Sequence, residues 1–187
     1  YTVPDSGGAG HHRGGNALCT TYRFLEPGEV SIHDDRWLTY PWGVNGGHPG
    51  ARSTKTLVRS NGDTELLQSK CDRIKVEEDD VLYHVTWGGG GWGDPLTRPA
   101  ERVAFDVDAG LVTRKGAKKN YGVVLSKELK INNSATTKLR KEMAKARGKT
   151  KLFDKGFSSI SELKKRCKAE TGLEPPATPK FQKWMQA

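Results

Sequence analysis

Apolar residues are scarce in this chain: 34% of its 187 residues are hydrophobic, and two are methionine. A core is possible at this length, but one that is loop-rich or completed by other chains. No apolar run approaches the roughly 20 residues that a membrane-spanning helix needs, and nothing reads as a secretory leader. Cysteine is sparse too. Cys19, Cys71 and Cys167 are scattered, with no Cys-x-x-Cys pair and no histidine at zinc-finger spacing. That excludes a disulfide framework and a zinc site made by this chain alone, and it fits free thiols in the cytoplasm. No Gly-Lys-Ser/Thr closes any glycine run, so a Walker A loop is absent. The opening, Tyr1-Thr2-Val3-Pro4-Asp5, reads as mid-chain sequence.

Glycine and positive charge are plentiful. There are 22 glycines, many of them in three clusters. The net charge of +9 is unevenly spread. Residues 1–113 hold 11 Lys/Arg against 16 Asp/Glu, and residues 114–187 hold 20 against 6. Such asymmetry marks two regions with different surroundings. A basic tail can bind nucleic acid, but this one lacks a recognised motif and has few aromatics for stacking bases. An acidic protein partner is the better reading.

The pattern along the chain predicts short strands at 17–24, 30–33, 36–40, 54–59, 64–67, 73–76 and 81–86. Turn signals separate them, among them Pro27-Gly28, Asn61-Gly62 and the acidic run at 77–80. After the third glycine cluster the period changes to that of a helix, with Pro99 at a helix start and Gly110 at its end. A second helix starts near Thr113, and 121–125 reads as a last apolar strand. Helices are expected at 134–146 and from the Ser159-x-x-Glu162 capping box to Gly172. Phe181, Trp184 and Met185 share one small apolar face at helical spacing. The fold class is therefore mainly β with α. An antiparallel, short-strand sandwich or barrel-like body occupies 1–125, and a basic helical extension at 126–187 docks on partner subunits.

The glycine clusters allow close backbone approach, and successive N–H groups can cradle an anion. Gly10, His11, His12, Arg13, Gly14 and Gly15 are the candidate substrate- or anion-lining residues. An imidazole can move a proton, and a guanidinium can hold a carboxylate or phosphate by two bonds. The third cluster, Gly88, Gly89, Gly90, Gly91 and Gly93 with Asp94, is read as structural, Asp94 tying down the turn. His33, Asp34, Asp35, His48 and His84 complete the chemically capable set. His84 reads as a packing residue and Asp34-Asp35 as a turn. The residues assemble into no nucleophilic triad, carboxylate pair or metal set, so the catalytic residues stay unassigned.

The run Gly-Gly-Gly-Gly-Trp-Gly-Asp-Pro-Leu at 88–96 is followed by Arg-Pro-Ala-Glu-Arg-Val at 98–103 and Asn-Tyr-Gly-Val-Val-Leu at 120–125. Upstream lie Gly8-Ala9-Gly10 with Arg13-Gly14-Gly15, then Pro41-Trp42-Gly43-Val44-Asn45-Gly46-Gly47 with Pro49-Gly50. In this order the motifs resemble the C-terminal portion of the B-type subunits of the hydantoinase, 5-oxoprolinase and acetone carboxylase family. The resemblance implies an ATP-dependent complex. Its partners would be the rest of the B-type subunit, an A-type subunit carrying ATP and Mg, and a small third subunit. A divalent metal such as Mn or Zn would lie outside this segment. Such enzymes open cyclic amides or carboxylate ketones with bicarbonate. The long tail, with Glu170-Thr171-Gly172-Leu173-Glu174-Pro175-Pro176, resembles the larger ketone carboxylase subunits. The rivals are a cyclic amidohydrolase and a non-enzymatic β module with a partner- or nucleic-acid-binding tail.

Overall fold

The structure is a computed structural model that describes residues 1–177. Phe181, Trp184 and Met185 lie outside the described residues. Alternation and turn chemistry produce β1 (Cys19–Arg23), β2 (Gly28–His33), β3 (Gly43–Val44), β4 (Thr54–Val58), β5 (Thr64–Leu67), β6 (Lys70–Val76) and β7 (Val81–Val85). They form an open four-stranded sheet, β1-β7-β4-β5, and a β2-β6 ribbon, with all pairs antiparallel. Ile32, Leu57, Leu67, Val76 and Leu82 fill the space between sheet and ribbon. At Asn61-Gly62 the glycine takes φ +92°, which lets β4 turn into β5. Deep in this body Lys55 pairs with Asp34, and its Nζ also donates to Ser53 Oγ at 3.0 Å.

The helical half begins with α1 (Ala100–Asp108) and α2 (Arg114–Tyr121). Thr113 caps α2 by accepting from the Gly116 N–H at 2.9 Å. Val103, Val112, Ala117, Tyr121 and Val123 bury a second core against Ala9 of the first glycine loop. The extension adds α3 (Asn133–Arg147), β8 (Phe153–Asp154) and α4 (Ile160–Thr171). Ser159 accepts from the Glu162 N–H at 3.2 Å, so the expected α4 start is present.

Three local expectations differ. Residues 36–40 form no strand: Arg36 takes φ +55°, and Trp37 and Tyr40 are buried as single anchors. Residues 121–125 form no strand either. Tyr121 ends α2, Gly122 takes a left-handed cap at φ +63°, and Leu125 alone makes an isolated bridge to Ile131. Pro99 is the residue before the first turn of α1 rather than within it.

Residues 126–177 fold onto the body of the same chain. β8 pairs with β3, Asn45 N–H donates to Leu152 O at 2.8 Å, and Gly46 N–H donates to Lys151 O at 2.8 Å. Arg140 donates to Tyr121 O at 2.9 Å and to Arg98 O at 2.7 Å. At α4, Glu170 accepts from the Tyr40 hydroxyl at 2.6 Å, from Arg52 Nε at 2.8 Å and from Arg166 at 3.1 Å.

Candidate functional site

The three glycine loops are stitched into one layer by main-chain hydrogen bonds. Gly8 N–H donates to Gly89 O at 2.8 Å, and Gly89 N–H donates to Gly15 O at 2.8 Å. His48 N–H donates to Ala9 O at 2.7 Å, and Gly91 N–H donates to His48 O at 2.9 Å. Val44 N–H donates to Gly91 O, and His12 and Trp92 exchange both bonds at 2.9 Å. A Cβ added at Gly8, Gly14, Gly47, Gly50, Gly88, Gly90 or Gly91 would fall less than 3.0 Å from a neighbouring main-chain atom. None of these seven takes a positive φ. Glycine is required here so that backbones can touch.

The candidate residues of the first loop are distributed by this layer. Gly10 and Gly14 pack within it, whereas a Cβ at Gly15 would meet nothing within 4 Å. Arg13 turns inward. Its Nη1 donates to Gly14 O at 2.6 Å and Asn16 Oδ1 at 2.8 Å, and its Nε lies 3.6 Å from Asp106. Arg98 approaches the same buried carboxylate from the other side at 2.9 Å and donates to His11 O at 2.9 Å. His11 Nδ1 meets Thr97 Oγ1 at 2.9 Å, and exposed His12 lies 5.5 Å from the Trp92 ring. His11 and His12 therefore stand at one end of the layer. His33 pairs with Asp72 at 3.0 Å, and Asp35 lies 3.4 Å from Lys70. Asp94 accepts from the Leu96 N–H at 2.8 Å and takes the Arg147 fork at 2.5 and 2.8 Å.

The layer has a second edge, at which the extension closes a polar cleft of about 660 Å³. Gly7, Ala9 and His48 form its floor; Lys119 of α2, with Lys151 and Arg166 of the extension, bring positive charge to its walls. Asp5, Asp154 and Glu162 supply an equal number of carboxylates. His48 also lines an adjoining cavity of about 300 Å³ with Arg147 and Lys149. Burial holds its imidazole below the ordinary value; Asp154 pulls it up, Arg147 pushes it down and Asp94 pulls it up. A neutral imidazole between carboxylates and cations can accept a proton. The glycine run at 6–15 contributes Gly7 and Ala9 to this cleft, and residues 10–15 do not line it. Sequence reasoning gave no signal for the walls, because they come from four separated stretches.

Among the described residues there is no group of three or more His, Cys, Asp and Glu placed to hold a metal ion. No helix among them is long and apolar enough to cross a membrane.

A short-strand body is sewn together by three glycine runs, with a helical extension folded across it. The model of the hydantoinase B/oxoprolinase family matches residues 1–95, and the chain belongs to that family. It is 34% identical over 152 residues to the caprolactamase subunit beta of Pseudomonas jessenii, covering 72% of this chain and 24% of the relative. It is 29% identical over 188 residues to the acetone carboxylase alpha subunit of Xanthobacter autotrophicus, covering 76% of this chain and 23% of the relative. A nucleotide-free acetone carboxylase structure shares the fold, with a TM-score of 0.63 at 20% identity over 78% of this chain and 24% of that one. The chain thus spans about a quarter of the length of these relatives.

Proposed function

We propose that the chain works as part of the B-type subunit of an ATP-dependent, bicarbonate-using ketone carboxylase. The observation that carries this reading is the extension: residues 126–177 form a wall of the His48 cleft and pair through β8 with the second glycine loop. Likeness to the acetone carboxylase alpha subunit supports it, covering 76% of the chain. In this reading the A-type subunit holds ATP and Mg, and a divalent metal is held elsewhere in the B-type subunit. The cleft takes an anion, with Lys119, Lys151 and Arg166 drawing it in and His48 exchanging a proton. At the far end of the layer His12 is exposed to a partner or ligand, with His11 and Gly15 beside it, while Gly10, Arg13 and Gly14 hold the loop in place. The solvent face of α3, with exposed Lys138, Lys141 and Lys145, docks on an acidic surface of a partner subunit.

A second reading has its own support. The caprolactamase subunit is the more similar of the two relatives, at 34% against 29% identity. That favours an ATP-dependent cyclic amidohydrolase. The deciding measurement is ATP consumption by the complex that carries this chain. Turnover that needs acetone or acetophenone together with bicarbonate establishes the carboxylase. Turnover with hydantoin, 5-oxoproline or caprolactam and no bicarbonate replaces it with the amidohydrolase.

A further inference from the structure

β1 is an edge strand of the four-stranded sheet. Leu18 O accepts from the Thr86 N–H at 2.9 Å, and Phe24 N–H donates to Asp80 O at 2.9 Å, so the even-numbered residues face β7. Antiparallel alternation then turns the main-chain groups of Cys19, Thr21 and Arg23 to the other side. Cys19 is engaged there. Its N–H donates to Tyr1 O at 2.8 Å, and its carbonyl accepts from the Tyr1 amino group at 3.1 Å. Thr2 bridges Leu18 antiparallel, and Val3 N–H donates to Ala17 O at 2.8 Å. Residues 1–3 therefore occupy the edge only as far as Cys19. The main-chain groups of Thr21 and Arg23 have no partner among the described residues, and both residues are exposed.

An uncovered apolar slot of about 490 Å³ adjoins that open edge. It enters the body between β1 and β2, lined by Tyr22, Phe24, Val30, Ile32, Leu82 and His84. Tyr22 and Leu18, on the slot side of β1, are 51% and 50% exposed. An unpaired strand edge beside an apolar opening is a template for an added strand.

We propose that Thr21 to Arg23 receive an extended segment of the same subunit's polypeptide, in line with residues 1–3 and antiparallel to β1. This rests on the reading that the chain acts within a larger B-type subunit, of which it spans about a quarter. The pairing of Tyr1 with Cys19 and Thr2 with Leu18 fixes the register. The residue directly ahead of Tyr1 stands opposite Thr20, and the third ahead stands opposite Tyr22. Both side chains enter the slot and are apolar. The second and fourth ahead stand opposite Thr21 and Arg23, face outward, and supply the missing main-chain bonds.

Amide exchange tests this on the 187-residue chain and on versions carrying four residues ahead of Tyr1. With Thr-Val-Thr-Val, valine enters the slot phase, and the Thr21 and Arg23 amides slow by about tenfold or more. The phase-swapped Val-Thr-Val-Thr slows them less, and Pro-Thr-Pro-Thr, whose prolines stand opposite Thr21 and Arg23 where a main-chain donor is needed, leaves them fast. Unchanged exchange with Thr-Val-Thr-Val overturns the proposal, and equal protection in both phases overturns the slot. The assembled enzyme, captured through a C-terminal tag on this chain, supplies the second arm. Fast Thr21 and Arg23 amides in an assembly that consumes ATP overturn the docking and leave the function standing. Protected amides in an assembly that consumes none support the docking and remove the function.

Discussion

Replacing Gly90 by alanine tests whether the glycine layer is held by backbone contact. The new Cβ would overlap the Trp42 carbonyl oxygen, with Gly43 N only 3.3 Å away. Both are main-chain atoms, fixed on one side by the β3–β8 pair and on the other by the Val44–Gly91 bond. No side chain can rotate aside, so the two threads must separate. Overpacking a tight site costs about 1–3 kcal/mol, and this rigid one belongs at the upper end. For a chain of this length each kcal/mol lowers the melting temperature by about 2–4 °C, so Gly90→Ala should lose roughly 6–12 °C. Gly15→Ala is the matched control: its Cβ meets nothing within 4 Å and its φ is not positive. It should stay within about 0.5 kcal/mol of the parent. Thermal melts followed by near-ultraviolet circular dichroism, which reports on Trp42 and Trp92, read the difference. Equal melting of the two variants would refute the argument. A Gly90→Ala variant that melts normally but loses anion binding would make the layer a ligand cradle instead.

Asp106→Ala leaves Arg13 and Arg98 facing each other without their buried carboxylate; the loss should be about 3–5 kcal/mol in urea unfolding, and a loss below 1 kcal/mol would contradict the pairing. Arg147→Ala removes the fork on Asp94, whose carboxyl is held below the usual range first by Arg147 hydrogen bonds, against burial, and then by the Leu96 N–H. Because that folded-state value is depressed, its stabilisation is complete above the unfolded carboxyl value near 4 and disappears as pH falls through the folded one. The melting gap between parent and Arg147→Ala, about 1 kcal/mol at neutral pH, should therefore shrink in acid, and a gap independent of pH would rule the pair out as its source. Glu170→Gln weakens the acceptor shared by Tyr40, Arg52 and Arg166; faster proteolytic cutting between β8 and α4 is the expected result, and unchanged cutting would show that α4 is held otherwise.

The strands were legible where apolar and polar residues alternate between turn signals, as at β4, Asn61-Gly62 and β5. The helix starts at Thr113 and Ser159 were legible because capping is local chemistry. Residues 36–40 misled because Trp37 and Tyr40 carry strand-like side chains, while the left-handed Arg36 between them and β2 leaves no sequence mark. Residues 121–125 misled because their apolar content reflects burial, and Gly122 turns the chain there. The site was less legible. Arg98 stood out only as part of the motif at 98–103, and nothing in the sequence marks Asp106, Arg140 or Arg147, yet each pairs across the fold with a residue far away in sequence. The His48 cleft depends on the return of the extension to the second glycine loop, and no periodicity encodes that return.

The order in which the layer's threads emerge constrains how the chain reaches its native state. His48 follows Ala9 by about forty residues, and Gly91 follows His48 by a similar interval, so each seam closes a long loop before it yields any bond. The middle of the layer is nearly all glycine, which carries the largest conformational freedom to lose and no side chain to collapse early. Its assembly is therefore a late, non-local event in folding, slower than formation of the neighbouring hairpins and helices. Until residue 93 has been synthesised, the first two glycine runs have no third thread to close upon, and a chain growing from the ribosome carries them as solvated coil.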